Sequence, residues 1–235
     1  MASNIGDIRN KVIPRLKGDS HLTSAPGGDV DAAILSAVEE YQKTYPLEKV
    51  LKIAGDGGFK YAIASLTGFV DGFSSVKQVA YPYVTTDQIP AWLEGDEFGL
   101  VRNESGLFLW FPLAKPAGTE FFLVVFTIPH TASASAWTPP ATDDEALADL
   151  AAAYACDALA TFYSQSTDAS LTADSVQHLT KAAEYRASAR RYRDSYKAKI
   201  NAGHADVPAM AIGEIDRTFG TTQGHDYFFH GRRRN

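Results

Sequence analysis

The chain has 235 residues, 45% of them apolar, and a formal net charge of −6 from 22 basic and 28 acidic side chains. That size and composition allow a packed core without metals or disulfides, and the lone Cys156 excludes an internal disulfide. No targeting or membrane segment is expected. Residues 1–10 lack an apolar run, and the longest apolar stretches, Phe121 to Phe126 and Leu150 to Cys156, fall far short of a bilayer span.

Ile5 to Leu16 predicts a short helix that Pro14 breaks near its end. From Asp29 to Tyr45, Val30, Ile34, Ala37, Val38, Tyr41 and Tyr45 recur at helical spacing. Asp29 stands where an N-cap is expected, and Pro46 stops the helix.

The period then changes. Lys49–Ile53 and Phe59–Ile63 read as two strands around a hairpin turn, Gly55-Asp56-Gly57-Gly58. Val76–Tyr81, Glu97–Arg102, Leu107–Phe111 and Glu120–Thr127 read as four more, with Asn103-Glu104-Ser105-Gly106 as a hairpin loop. Pro82, Pro90, Pro112 and Pro116 fall at strand ends, where a missing N–H costs no ladder bond. An antiparallel β module is expected here.

Thr138-Pro139-Pro140 marks its end, and Asp143, Asp144 and Glu145 favour a helix start. Leu147, Leu150, Tyr154, Ala158 and Phe162 give that helix an apolar stripe. After a turn at 167–171, with Thr172 as a candidate cap, a second long helix runs from about Ala173 to Ile200. Ala182, Tyr185, Ala189, Tyr192, Tyr196 and Ile200 form its buried stripe, and Tyr154, Tyr185, Tyr192 and Tyr196 are the inter-helix packing residues. Lys181, Arg186, Arg190, Arg193 and Lys197 cover the opposite face, and Asn201-Ala202-Gly203 ends the helix. The final stretch has no period but carries Ile212, Ile215, Phe219, Tyr227, Phe228 and Phe229, anchors for docking on its own domain or a neighbour.

The predicted fold is α+β. A helical bundle is built from the N-terminal segment (1–47) and the two C-terminal helices (138–203). An antiparallel β module (48–137) is inserted between them, and 204–235 form an extended docking tail. Charge is uneven: residues 171–235 hold 11 Lys/Arg against 7 Asp/Glu, a net of +4, which leaves −10 for the rest. Such asymmetry suits complementary packing between copies.

The motifs of catalysis fail on inspection. Gly55-Asp56-Gly57-Gly58 lacks the Lys-Ser/Thr of a phosphate loop, and there is no Gly-x-Ser-x-Gly elbow and no His-Glu-x-x-His. His204, His225 and His230, with Asp206 and Asp226, match no ligand spacing, and His178 is expected in helix packing. Cys156 reads as a small buried apolar residue. Glu94, Asp96, Glu97, Glu104 and Glu120, with Trp92 and Trp110, raise the alternative of a carbohydrate-binding or carbohydrate-cleaving module. Against it, most of these acids fall in loops, and Trp110 is expected in the core. The tyrosines on the buried stripe do not interleave with the arginines as a base-stacking surface would.

The aromatic strand closing in Ile128-Pro129-His130-Thr131, the Leu150–Ala155 alanine helix, the Asp168–Asp174 turn, the tyrosine–arginine helix after Ser175-Val176-Gln177-His178, and the aromatic-basic end Tyr227 to Arg234 together resemble the head–tail connector adaptors of tailed bacteriophages. The resemblance spans most of 29–235 and lies in arrangement. It implies a non-enzymatic virion protein without cofactors, assembled in the host cytoplasm into a homo-oligomeric ring, a dodecamer in the family. Its partners would be the portal protein and tail or neck proteins. Phage DNA would pass through the lumen without sequence recognition, and no membrane is involved. Portal docking would fall to Phe219, Tyr227, Phe228, Phe229, Arg232, Arg233 and Arg234.

Overall fold

A computed structural model describes residues 3–17, 19, 21–63, 66–86, 89–165 and 174–204, the side chains of 174–180 excepted. The fold is mixed α+β: four helices and two small antiparallel sheets.

Helix α1 (Ile5–Arg15) opens with a capping box. Asn4 Oδ1 accepts from the N–H of Gly6 at 2.8 Å, and Asp7 Oδ2 accepts from the N–H of Asn4 at 2.9 Å. Pro14 is carried inside the last turn. Helix α2 (Asp29–Thr44) is capped by Gly28, not by Asp29. Asp29 is instead the first helical residue, and its carboxylate turns back to accept from the N–H of Thr23 at 2.9 Å.

Helix α3 (Asp144–Gln165), entered through a single 3₁₀ turn at Ala141–Asp143, is the centre of the bundle. Seven of its alanines are buried, with Leu147, Leu150, Cys156 and Leu159. Small side chains let α1, α2 and α4 (Asp174–Gly203) all approach it closely. Ile8 and Val12 of α1, Ile34 and Ala37 of α2, and Ala189 of α4 complete its core. Helices from before and after the strands therefore close on one scaffold. Two residues of the expected α3 stripe fall elsewhere: Ala158 is exposed, and so is Phe162, which lies against the His21 ring at 4.4 Å. Tyr163 takes the buried place.

The strands are β1 (Leu47–Ala54), β2 (Lys60–Ala62), β3 (Val76–Ala80), β4 (Gly99–Asn103), β5 (Gly106–Trp110) and β6 (Phe121–Ile128). One sheet has the order β1-β6-β3 and the other β2-β5-β4, and every pairing is antiparallel. The β4–β5 hairpin turns at Glu104-Ser105, with Gly106 at φ 128°, a conformation that suits glycine. The expected β1–β2 hairpin does not form: β1 pairs with β6 and β2 with β5. Gly55 to Gly58 instead carries the chain from one sheet to the other. It is pinned by Gly55 N–H to Glu120 O (2.9 Å) and Gly57 N–H to Pro116 O (2.8 Å). The sheets share one core, in which Tyr61 packs on Phe122 at 4.6 Å and Phe111 on Phe122 at 5.1 Å. Trp110 is outside it, 38% exposed, because the pleat turns its neighbour Leu109 inward.

Candidate interaction site

The bundle and the β module meet where α2 ends, β6 ends and α4 ends. Tyr41, fully buried, donates its hydroxyl to Asp143 Oδ2 at 2.5 Å. The same oxygen is 2.9 Å from His204 Nε2, one residue past α4. Thr142 donates to the other carboxylate oxygen at 3.2 Å. The His204 ring stacks on Tyr45 at 4.2 Å, and Tyr45 stacks on Tyr41 at 5.4 Å. Burial, then the bond and charge of Asp143, raise the Tyr41 pKa and keep the phenol protonated.

His130, after β6, sets the other wall. Its N–H donates to Gln42 Oε1 at 2.9 Å. Its ring bridges Tyr45 O (2.9 Å from Nε2) and Thr138 Oγ1 (3.0 Å from Nδ1). The carbonyl can only accept, so Nε2 carries the proton, and a neutral ring satisfies both contacts. Burial lowers the His130 pKa, against its bonds to Tyr45 and Thr138 and the charge of Asp143. Tyr41, Tyr45, Glu48, Lys77, His130 and His204 line an open cleft here. Nothing local in the sequence marked this cluster, because its members come from four separate segments.

Of the four tyrosines singled out for helix packing, three reach polar partners. Tyr154 donates to Glu40, Tyr185 to Asp19 Oδ2 at 2.7 Å, and Tyr192 to Arg15 O at 3.0 Å. Tyr196 packs among Val38, Tyr41, Leu147 and Ile200, where burial, then Glu40, Tyr45 and Asp143, push its pKa up to about 12. The tyrosines are half-buried, with rings inward and hydroxyls at the helix margins. Buried Asp149 is shared by Arg15 (2.8 Å), Ser195 (2.6 Å) and Lys199 (2.6 Å), which ties α1 and α4 to α3. Burial pushes its carboxyl up, but those three partners outweigh it and hold the pKa below the ordinary value.

On the outer face of α4, Arg193 pairs with Asp157 and Lys181 lies over the Tyr163 ring at 4.9 Å. Arg186, Arg190 and Lys197 are exposed. Cys156 is buried, and burial, then Asp157, push its thiol up to about 11.

In the β module, the Glu120 carboxylate accepts from Ala117 N–H (2.8 Å) and Tyr81 hydroxyl (2.7 Å), and Glu97 accepts from Glu94 N–H (2.8 Å). These acids are spent on their own loops. Trp92 and Trp110 are both exposed, but they sit on different sheets, Trp92 bridged to Ala80 and Trp110 on β5. Among the described residues, no group of three His, Cys, Asp or Glu is placed to hold a metal ion, and no helix is long and apolar enough to cross a membrane.

Phe219, Tyr227, Phe228, Phe229, Arg232, Arg233 and Arg234 lie outside the described residues, as do His225, His230, Thr172 and the side chain of His178. A scan against protein-family models and a search of curated proteins returned no match for the sequence.

Proposed function

We propose that the chain is a non-enzymatic structural subunit of an oligomeric ring at the head–tail junction of a tailed bacteriophage. It docks on the portal protein through residues 204–235 and forms part of the DNA conduit. The observation that carries this reading is the closure of helices from before and after the β module on one bundle. Helices α1 and α2 pack on α3 and α4, and the β module between them is an insertion. His204, the last described residue of the scaffold, lines a cleft at the bundle–module junction, and residues 205–235 follow it in sequence. That stretch carries Phe219, Tyr227, Phe228, Phe229 and three consecutive arginines, the residue types that dominate docking energies.

Charge supports the same reading. The exposed Arg186, Arg190 and Lys197 on α4 complement a chain that is otherwise strongly acidic, as neighbours in a ring require. Among the described residues the buried acids are engaged with Arg, Lys, Tyr or His partners, as structural pairs would be.

The experiment is co-expression with the portal protein of the same phage, followed by co-purification and negative-stain imaging. Rings seated on portal are expected for the full chain. A chain lacking Gly220 to Asn235 should keep its helical signal and lose the portal. Retention of the portal by the truncated chain, or no association of the full chain, would overturn the reading.

A further inference from the structure

We propose that the open edge of β1 pairs with the same edge of a second copy, antiparallel about a two-fold axis at Val50. This does not rest on the ring reading and concerns the free protein.

The starting point is which backbone groups of β1 are already used. Gly55 N–H binds Glu120 O, so the next residues that face β6 are Ile53, Leu51, Lys49 and Leu47. The pattern from the other side agrees. Thr127 N–H and Phe121 O point to the β3 side, to Ser75 O and Tyr83 N–H, and they stand opposite Glu48 and Ala54. The N–H and C=O of Glu48, Val50, Lys52 and Ala54 therefore point off the sheet. No backbone or side-chain hydrogen bond among the described residues meets them. The opposite edge of the same sheet is covered: Tyr81 N–H binds Ala91 O and Leu93 N–H binds Val79 O. Among the described residues β1 is thus an eight-residue edge left open, a length that proteins ordinarily shorten, bend or cover.

The side chains choose the occupant. Glu48, Val50, Lys52 and Ala54 are the exposed members of the strand, with Val50 55% exposed. Antiparallel self-pairing about Val50 sets Val50 against Val50 and Glu48 against Lys52, twice over by symmetry. The same register brings the outward N–H and C=O of these residues into the spacing of bonded pairs. A two-fold at Lys52 or Glu48 would oppose like charges. The ladder stops at Pro46, which has no N–H to give. Glu48 forms no ion pair among the described residues. The Lys52 ammonium sits over the Phe121 ring at 3.9 Å, on the face that the two sheets would continue.

The test is sedimentation of the full chain without portal. The wild type should be a dimer. Glu48→Lys and Lys52→Glu should each raise its dissociation constant about tenfold or more, since each reverses two facing pairs. Mixing the two variants should give a one-to-one heterodimer, because each then supplies the charge that the other lacks. Val50→Pro removes an outward N–H and leaves the β6 ladder intact, so it should give a folded monomer by circular dichroism. A monomeric wild type, association indifferent to charge reversal, or variants that do not combine on mixing would each overturn the proposal. Portal-bound rings alongside such a result would leave the ring reading standing. A two-fold dimer that never binds portal would support the pairing and defeat the ring.

Discussion

Tyr41 on α2 and Asp143 at the head of α3 meet hydroxyl to carboxylate at 2.5 Å, although they stand 102 positions apart in the sequence. The residues between them include the whole β module, so this one bond closes the loop from which the module projects. His204 on the same carboxylate adds the end of α4.

Tyr41→Phe keeps the ring packing and removes that donor. The carboxylate of Asp143 is buried and would keep Thr142 and His204 as partners, so partial loss is expected, about 1–3 kcal/mol. Urea unfolding followed by circular dichroism reads it as a lower midpoint with an unchanged slope. A midpoint within error of wild type would show that the bond contributes nothing net.

The pair Arg9–Asp31 joins α1 to α2 with two bonds, at 2.6 and 2.5 Å, and both side chains are largely shielded, at 14% and 8% exposure. Asp31→Ala leaves the guanidinium shielded without a carboxylate and should cost about 3 kcal/mol. Burial pushes the Asp31 carboxyl up, but the Arg9 bonds, the Gly27 N–H and the Arg9 charge outweigh it, and the net shift is downward. A depressed carboxyl pKa stabilises the fold at every pH above its unfolded value, about 3.9. That contribution is lost as pH falls through the lower folded value. Asp149 behaves alike. The wild type should therefore lose stability steeply below about pH 4, and Asp31→Ala should lose less over the same range.

The helices were legible because their apolar residues repeat and because Pro46 and Pro139-Pro140 punctuate them. Strand positions were legible too, from β-branched and aromatic runs between turn residues, and in β1 exposure alternates along the strand. Alternation does not report a partner. Two strands flanking Gly55 to Gly58 look the same in sequence whether they pair or part, and here they part into different sheets. In α3 the misplacement of Ala158 and Phe162 has another cause. Alanine occupies every side of that helix and three helices surround its first half, so no polar edge marks where the buried face lies. The junction cluster was invisible because Tyr41, His130, Asp143 and His204 share no local pattern.

Gly55 tests the point at which the sheets part. A Cβ there would meet Pro116 O at 2.3 Å and Ala117 O at 2.4 Å, both backbone atoms that cannot rotate away. Gly55→Ala should push the 116–117 segment off β1 and weaken the Gly57 N–H to Pro116 O bond. The expected cost is about 1–3 kcal/mol. Because the bundle has its own core, a calorimetric scan should show the loss in the module, with helical ellipticity held to higher temperature. A loss of helix at the same temperature as the sheet would mean that the two parts unfold as one unit.

His130 supplies a pH dependence in the neutral range. In the fold its ring is half-buried between Tyr45 O and Thr138, and that burial lowers its pKa from the ordinary 6.5 or so. The unfolded chain then takes up a proton at a pH where the folded chain still refuses it. Stability is complete above the unfolded value, starts to fall as pH drops below about 6.5, and goes on falling until the folded value is passed. His204 and Asp143 stand close by, so the wild type alone does not isolate the effect. His130→Gln retains a polar side chain and cannot take the proton. The difference in melting temperature between wild type and His130→Gln should therefore shrink from pH 8 to pH 5. A difference that stays constant across that range would mean that the ring accepts its proton as readily in the fold as out of it, and would remove burial as the governing effect at this junction.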